Sequence, residues 1–402
     1  MEKELTLNEV YRASHVLKSI IRHTDLIAAP SICKNSDIFI KPENLQVTGS
    51  FKVRGASYMI SQLSDEEKKR GVIACSAGNH AQGVALAAAK CGIKATICLP
   101  AGAPISKVEA TRSYGAEICL VPGVYDDAYN RALQLKDEKG MTFVHPFDDP
   151  QVIAGQGTIA LEILDDMPDV ECIIVPIGGG GLISGVAYAA KQINPNIKVY
   201  GVQAEGAPSM YNSLAHDAIE RLDSVSTIAD GIAVKEPGKN TFACCKQWVD
   251  KVVTVSEDEV CAAILHLLEK YKMISEGAGA VSVAAAMYGK LPIEGKRTVC
   301  IVSGGNVDVT FLSRIISRGL VKSGRECTLV LELADKPGQL HEVTQVIASL
   351  GANVLSVIHE RGANQVANVN SCILRVAMET RNHDHINQII EALNAKGIRT
   401  IE

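Results

Sequence analysis

The feature that most constrains this chain is a short, near-continuous apolar run that recurs along its first three quarters. GVIACSA (71–77), KATICLP (94–100), AEICLVP (116–122), TFVHPF (142–147), CIIVPIG (172–178), KVYGVQA (198–204) and RTVCIVSGG (297–305) all share it. A strand with one wet face alternates apolar and polar residues. A near-continuous apolar strand is buried on both faces, as in a parallel sheet covered by helices. Helical stretches such as GVALAAAKCG (83–92) lie between the runs. Two groups of strands predict two α/β lobes with a cleft between them, over residues 1–320, the smaller lobe spanning about 48–150.

The pattern breaks at GLVKSGRE (319–326), so 321–326 is expected to be a linker. Beyond it come the strand TLVLELAD (328–335), the helix PGQLHEVTQVIASLG (337–351) and the strand ANVLSVIHER (352–361). After a break at GANQ (362–365), the strand SCILRVAMET, the helix HDHINQIIEALNAKG and the strand IRTI complete the order. βαββαβ predicts a separate α+β domain at 327–402, an antiparallel sheet with two helices on one face. A chain of 402 residues has room for these parts at about 100–200 residues per domain.

A net charge of −5 provides no basic field for nucleic acid. No apolar run of about 18 residues is present to span a membrane. The 12 cysteines include no CxxC pair. Cys75, Cys91, Cys98, Cys119, Cys172 and Cys300 stand singly in apolar runs, and Cys244-Cys245 is the close pair. The charged opening MEKELTLNEVYRASHVLKSI has no secretion core, so buried free thiols in a reducing cytoplasm are expected.

Chemistry concentrates at four places. Gly178, Gly179, Gly180 and Gly181 with Leu182 follow an apolar strand and open the helix GVAYAAKQ. Glycine amides converging on a helix start form a phosphate cradle; a tight strand-to-helix turn is the alternative. Lys52 stands beside Phe51 and Val53 in GSFKVRGA. Desolvated, its amine would be a nucleophile for a carbonyl; solvated, it is an ordinary surface lysine. CSAGNH (75–80) ends a strand and begins a helix, where Asn79 is either a binding residue or an N-cap. SGGN (303–306) closes another strand, at the end where α/β sites collect. The chain has no GxxxxGK[ST] sequence, and GQGTIA (155–160) fits a dinucleotide pattern without the strand that pattern requires. His341, His359, His383 and His385 are scattered and read as solvated or capping residues, so no metal centre is expected.

SFKVRGA, SAGNHAQG, GGGGL and SGGN in this order resemble the fold-type II pyridoxal-phosphate enzymes, in particular the serine/threonine dehydratases (threonine ammonia-lyases), over about residues 5–320. The resemblance implies two tryptophan-synthase-β-like lobes and pyridoxal 5′-phosphate as cofactor. It implies that Lys52 forms the Schiff base and moves the Cα proton, with Phe51 beside the cofactor. Asn79 would bond its 3′-oxygen, Gly178 to Leu182 its phosphate, and Ser303 its pyridine nitrogen, with Gly231 nearby. Ser76, Ala77, Gly78, Asn79 and His80 would line the substrate carboxylate. The implied reaction converts L-threonine to 2-oxobutanoate and ammonia, with L-serine as a second substrate. Ala77 stands where the similar racemases carry a serine, so weak racemisation is expected. Glu205 matches the first carboxylate of the family's divalent-cation site, but Tyr211 replaces the aspartate expected six residues on. A monovalent ion, or none, is therefore expected.

The C-terminal domain, with DKPGQL (335–340) and GANV (351–354), resembles an ACT regulatory domain. That implies an effector site at Asp335, Gly338, Leu340 and Asn353, with isoleucine and valine as candidates, in a homotetramer or homodimer. A purely structural pairing module is the alternative.

Overall fold

The computed structural model describes residues 4–361 and 370–401; the break expected at 362–365 lies outside them. The chain divides into two compact units, 1–309 and 310–402.

In the first unit the strands are, in order, β1 (Ile27–Ala28), β2 (Asp37–Pro42), β3 (Val72–Cys75), β4 (Ala95–Pro100), β5 (Glu117–Val121), β6 (Thr142–Phe143), β7 (Cys172–Pro176), β8 (Lys198–Ala204), β9 (Lys251–Val255) and β10 (Arg297–Val302). They form a six-stranded sheet, β1-β2-β10-β7-β8-β9, and a four-stranded one, β5-β4-β3-β6. Every pairing is parallel except β1 with β2. The two sheets give the two α/β lobes that the apolar runs predict. β3 and β7 are buried throughout, because helices cover both faces of a parallel sheet. The run TFVHPF yields only a two-residue strand. Pro146 has no N–H to donate to a ladder, and His145 Nδ1 accepts the amides of Phe147 and Asp148 instead.

GQGTIA lies inside the helix Pro150–Asp166. A Cβ on Gly155 would stand 2.6 Å from Gly55 Cα, so these glycines let that helix cross the helix Lys52–Ser61 at close range. The crossing carries a buried charge cluster. Arg54 Nε and Nη2 donate to Glu43 at 2.7 and 2.8 Å, and Nη1 and Nη2 to Glu162 at 2.6 and 2.9 Å. Lys41 Nζ adds a 2.7 Å pair with Glu162. Arg54, Lys41 and Glu43 have no solvent exposure. Burial opposes the Arg54 charge, but Glu43 and Glu162 outweigh it and raise its pKa. Burial likewise pushes the Glu162 carboxyl up, and Arg54 and Lys41 overcome it and hold that pKa low.

The second unit starts with the helix Val309–Lys322, so the stretch expected to be a linker is the end of this helix and the turn after it. Strands β11 (Glu326–Ala334), β12 (Asn353–Arg361), β13 (Ser371–Glu379) and β14 (Arg399–Thr400) form an antiparallel sheet in the order β12-β13-β11-β14. Leu329, Leu331 and Leu333 of β11 pack with Val343 and Ile347 of the helix Gln339–Ser349 and Ile389 and Leu393 of the helix His383–Ala395. The βαββαβ order is that of an ACT-like domain. His385, expected to be solvated or capping, is buried, with Nε2 bonded to Leu350 O at 3.0 Å. Among the described residues, no helix is long and apolar enough to cross a membrane.

Arg54→Met should lower stability by about 3–5 kcal/mol in urea unfolding of the full chain, because Glu43 is left charged and buried without its partner. Adding Glu43→Gln should recover part of that loss; no recovery would show that the cost lies in packing. Glu162 has a depressed folded pKa, so its contribution is present above the unfolded glutamate pKa. It is lost as pH falls through the folded value.

Candidate active site

A cavity of about 1070 Å³ lies beyond the C-terminal ends of β3, β7 and β10. Every catalytic, cofactor and substrate position expected from the sequence lines it. Lys52 opens the helix Lys52–Ser61 and its Nζ donates to Pro146 O at 2.8 Å. Burial lowers its pKa to about 8, while the Glu276 carboxylate pulls the other way. At that pKa about a tenth of the amine is neutral at pH 7, far more than for an ordinary lysine, and that neutral fraction is what a nucleophile or base requires. Phe51 lies beside it, with Nζ 5.3 Å from the ring centre.

Backbone contacts fix the position of Lys52 against β10. Phe51 N donates to Ser303 O at 3.1 Å, Gly305 N donates to Gly49 O at 2.9 Å, and Ser50 and Gly304 form an isolated bridge. Ser303 is buried and its Oγ donates to Ala278 O at 3.4 Å.

On the opposite wall, Gly178 to Gly180 lead from β7 into the helix Gly181–Ile193. Gly180 has φ 100° and caps that helix without a side-chain bond. A Cβ on Gly179 would overlap the Phe147 ring, and one on Gly181 would stand 2.8 Å from the Phe147 backbone. No side chain can occupy the turn, which leaves the wall as amides at the positive end of a helix. A desolvated lysine facing an uncapped glycine cradle fits a phosphate-bearing aldehyde cofactor.

Ser76, Ala77 and Gly78 follow β3 and lead into the helix Asn79–Lys90. Gly78 N donates to Ser76 Oγ at 3.1 Å. The His80 imidazole is turned into the protein, its Nε2 2.8 Å from Val144 O, and burial and the Lys52 charge lower its pKa to about 3. It stays neutral and tethered, so that ring offers no positive charge to the cavity. The cap is Gly78, and Asn79 is the first helical residue. Its Nδ2 donates to Glu276 Oε1 at 2.7 Å and its Oδ1 accepts from Asn306 Nδ2 at 2.6 Å.

Glu276 was missed by sequence reasoning. Burial, then the charge of Asp230, raise its pKa to about 7, with the Asn79 bond and the Lys107 and Lys52 charges opposing. A Cβ on Gly304 would collide with its carboxylate, so SGGN needs glycine there to admit the acid. The available signal was a single acid in the run SEGAGA (275–280). Lys107 and Asp230, also missed, form a 2.6 Å pair at the cavity wall beside Gly231. Glu205 and Tyr211 lie outside the cavity lining, and Tyr211 N donates to Gln203 Oε1 at 2.8 Å.

In the second unit, Asp335, Gly338 and Leu340 line a cavity of about 340 Å³. Asn353 is not part of that lining; its Nδ2 donates to Glu379 Oε2 at 2.8 Å.

Comparison with known proteins places this geometry. The family described as pyridoxal-phosphate dependent enzymes matches residues 17–304. An L-threonine ammonia-lyase of Thermotoga maritima is 50% identical over 395 residues, covering 98% of both chains. Among solved structures, the processed form of threonine deaminase isoform 2 from Solanum lycopersicum has a TM-score of 0.73 at 37% identity, covering 79% of this chain and 90% of that one. Maize serine racemase has a TM-score of 0.75 at 36% identity, covering 79% and 99%.

In cofactor-free protein, labelling of Lys52 by an amine-reactive anhydride should reach half its maximal rate near pH 8. Glu276→Gln removes the charge that holds the proton on Nζ, so the midpoint should move to lower pH. A midpoint that stays or rises would refute this coupling.

Proposed function

The chain belongs to the family of pyridoxal-phosphate-dependent enzymes, and we propose that Lys52, Asn79, Ser303 and the 178–182 turn serve that cofactor. The activity is that of an L-threonine ammonia-lyase: L-threonine is converted to 2-oxobutanoate and ammonia. The observation that carries the division of roles is the desolvated Lys52 amine in one cavity with the uncapped glycine turn. When bound, the cofactor supplies an electron sink for charge developing at the substrate's Cα.

The remaining work falls to the chain's own groups. Amides at the start of the helix Asn79–Lys90 and the Ser76 hydroxyl receive the substrate carboxylate. Neutral Lys52 Nζ takes the Cα proton, and the Cβ hydroxyl takes up a proton and leaves as water. The released enamine tautomerises to an imine. Water then returns to hydrolyse it, giving the keto acid and ammonia. Gly178 to Leu182 would hold the phosphate. Ser303 would offer the ring nitrogen a neutral hydroxyl, which does not fix a proton there as a carboxylate would. Asn79, its orientation held by Glu276 and Asn306, would present its amide to the 3′-oxygen. L-Serine lacks one methyl, worth about 1–3 kcal/mol of discrimination, and is a secondary substrate. Ala77 carries no proton to deliver to the opposite face of Cα, which separates this site from racemisation.

The residues 1–320 and 327–402 are assigned to catalysis and control, respectively. An amino-acid effector would occupy the cavity at Asp335, Gly338 and Leu340. The edge strand β12 exposes Leu355, Val357 and Ile358, which supports pairing with a second copy in a dimer or tetramer. All twelve cysteines are free, in keeping with a reducing cytoplasm.

Purified protein loaded with cofactor should form 2-oxobutanoate from L-threonine, and more slowly pyruvate from L-serine; cofactor binding without either product would overturn the reading. Lys52→Ala should abolish turnover. Borohydride should fix the cofactor mass on the peptide containing Lys52 in the wild type and on no peptide of the variant.

Ala77→Ser should raise D-serine formation from L-serine, measured by chiral chromatography. An unchanged rate would show that the missing hydroxyl does not limit racemisation.

A further inference from the structure

The second unit's cavity also brings together three metal-ligating side chains. Asp335 follows β11, His359 lies on β12 and Cys372 on β13, and all three line the same space of about 340 Å³. One donor atom from each lies within 4.8 Å of the other two, and His359 Nε2 is 3.0 Å from Cys372 Sγ. Carboxylate oxygen, imidazole nitrogen and thiol sulfur converge from three separate backbone segments.

We propose that Asp335, His359 and Cys372 form a three-ligand site for a divalent transition ion of the zinc class. The donor set is the mixed O, N and S kind that a borderline ion takes, and hard magnesium or calcium does not. Zinc bonds of about 2.3 Å to sulfur and about 2.0–2.2 Å to nitrogen and oxygen span donors up to about 4 Å apart. Small rotations of the two exposed side chains bring the three donors within that span. Three protein ligands leave a fourth position open to the cavity, for water or a small ligand.

The surroundings are already arranged. Cys372 is buried, 1% exposed, on a central strand, so its sulfur is fixed and the exposed Asp335 and His359 adjust to it. Arg361 Nε and Nη2 both donate to Asp335 Oδ1 at 3.1 Å. That leaves Oδ2 for the metal and provides the hydrogen bond that ligating carboxylates customarily receive. On binding, the Cys372 thiol loses its proton to solvent and gives up its 3.6 Å contact with Leu333 O. The linear sequence hides the site, since Asp335, His359 and Cys372 have no metal-ligand spacing and sheet pairing alone brings them together.

The test uses the full-length holoenzyme, freed of metal by a chelator and then dialysed against zinc alone. The wild type should retain one zinc per chain by elemental analysis. His359→Gln should weaken binding by more than about tenfold, the upper range for loss of even an indirect metal contact being about a hundredfold. It should do so while keeping the wild-type cofactor absorbance. Cobalt added instead should give a thiolate-to-metal charge-transfer band in the difference spectrum, lost in Cys372→Ser. No retained zinc, or zinc retained equally by wild type and His359→Gln, overturns the proposal. Because His359 is exposed on an edge strand, that variant is informative even where Cys372→Ser fails to fold.

Discussion

The catalytic unit depends on one buried ionic constraint, the clasp of Arg54 on Glu43 and Glu162. Moving such charges from water into protein costs several kcal/mol per ion unless partners and hydrogen bonds offset it. Here the offset comes from pairing: Arg54 meets Glu43 and Glu162, and Lys41 meets Glu162 and, at 3.9 Å, Asp166. The planar guanidinium makes four hydrogen bonds to the two carboxylates, more than the three donors of a lysine ammonium could supply. Arg54 stands two residues beyond Lys52. The clasp therefore fixes the start of the helix that presents the amine, and it joins that helix to the end of β2 and to the helix Pro150–Asp166.

From that fixed start, burial governs three of the ionisable groups in the cavity wall. Each of the three is pushed towards its neutral form: Lys52 down to about 8, His80 down to about 3, Glu276 up to about 7. Charge that remains is local and opposed in pairs. Lys52 and Glu276 each favour the other's ionised form. Asn79 stands in this balance as a neutral donor to Glu276 and an acceptor from Asn306. Burial around these three groups strengthens the interactions of any charge that develops beside them during reaction.

Much of this was legible in the amino-acid order. Continuous apolar runs marked the parallel strands, and glycines at strand ends marked the cavity, because both signals are local. What stayed hidden was assembled across distance. Glu276 is 197 residues from Asn79, and no local pattern links an acid in SEGAGA to a strand end in SAGNH. β1, β2 and β9 have weak signals; β1 is two residues long, and β2 ends on a proline. The polar stretch after 319 looked like a linker because helix ends and linkers draw on the same residues. In the second unit, the sequence grouped Asn353 with Asp335, yet its amide turns to Glu379. His359, read as solvated, meets Cys372 through the pairing of β12 with β13.

The short ladder between 49–51 and 303–305 has a consequence for how such a site can diversify. It works as a gauge block: backbone bonds, not side-chain fit, set the span between the Lys52 helix and the strand end that carries Ser303. Side chains elsewhere in the cavity can change without altering that span. Variation at those positions is thereby uncoupled from the spacing between Lys52 and Ser303.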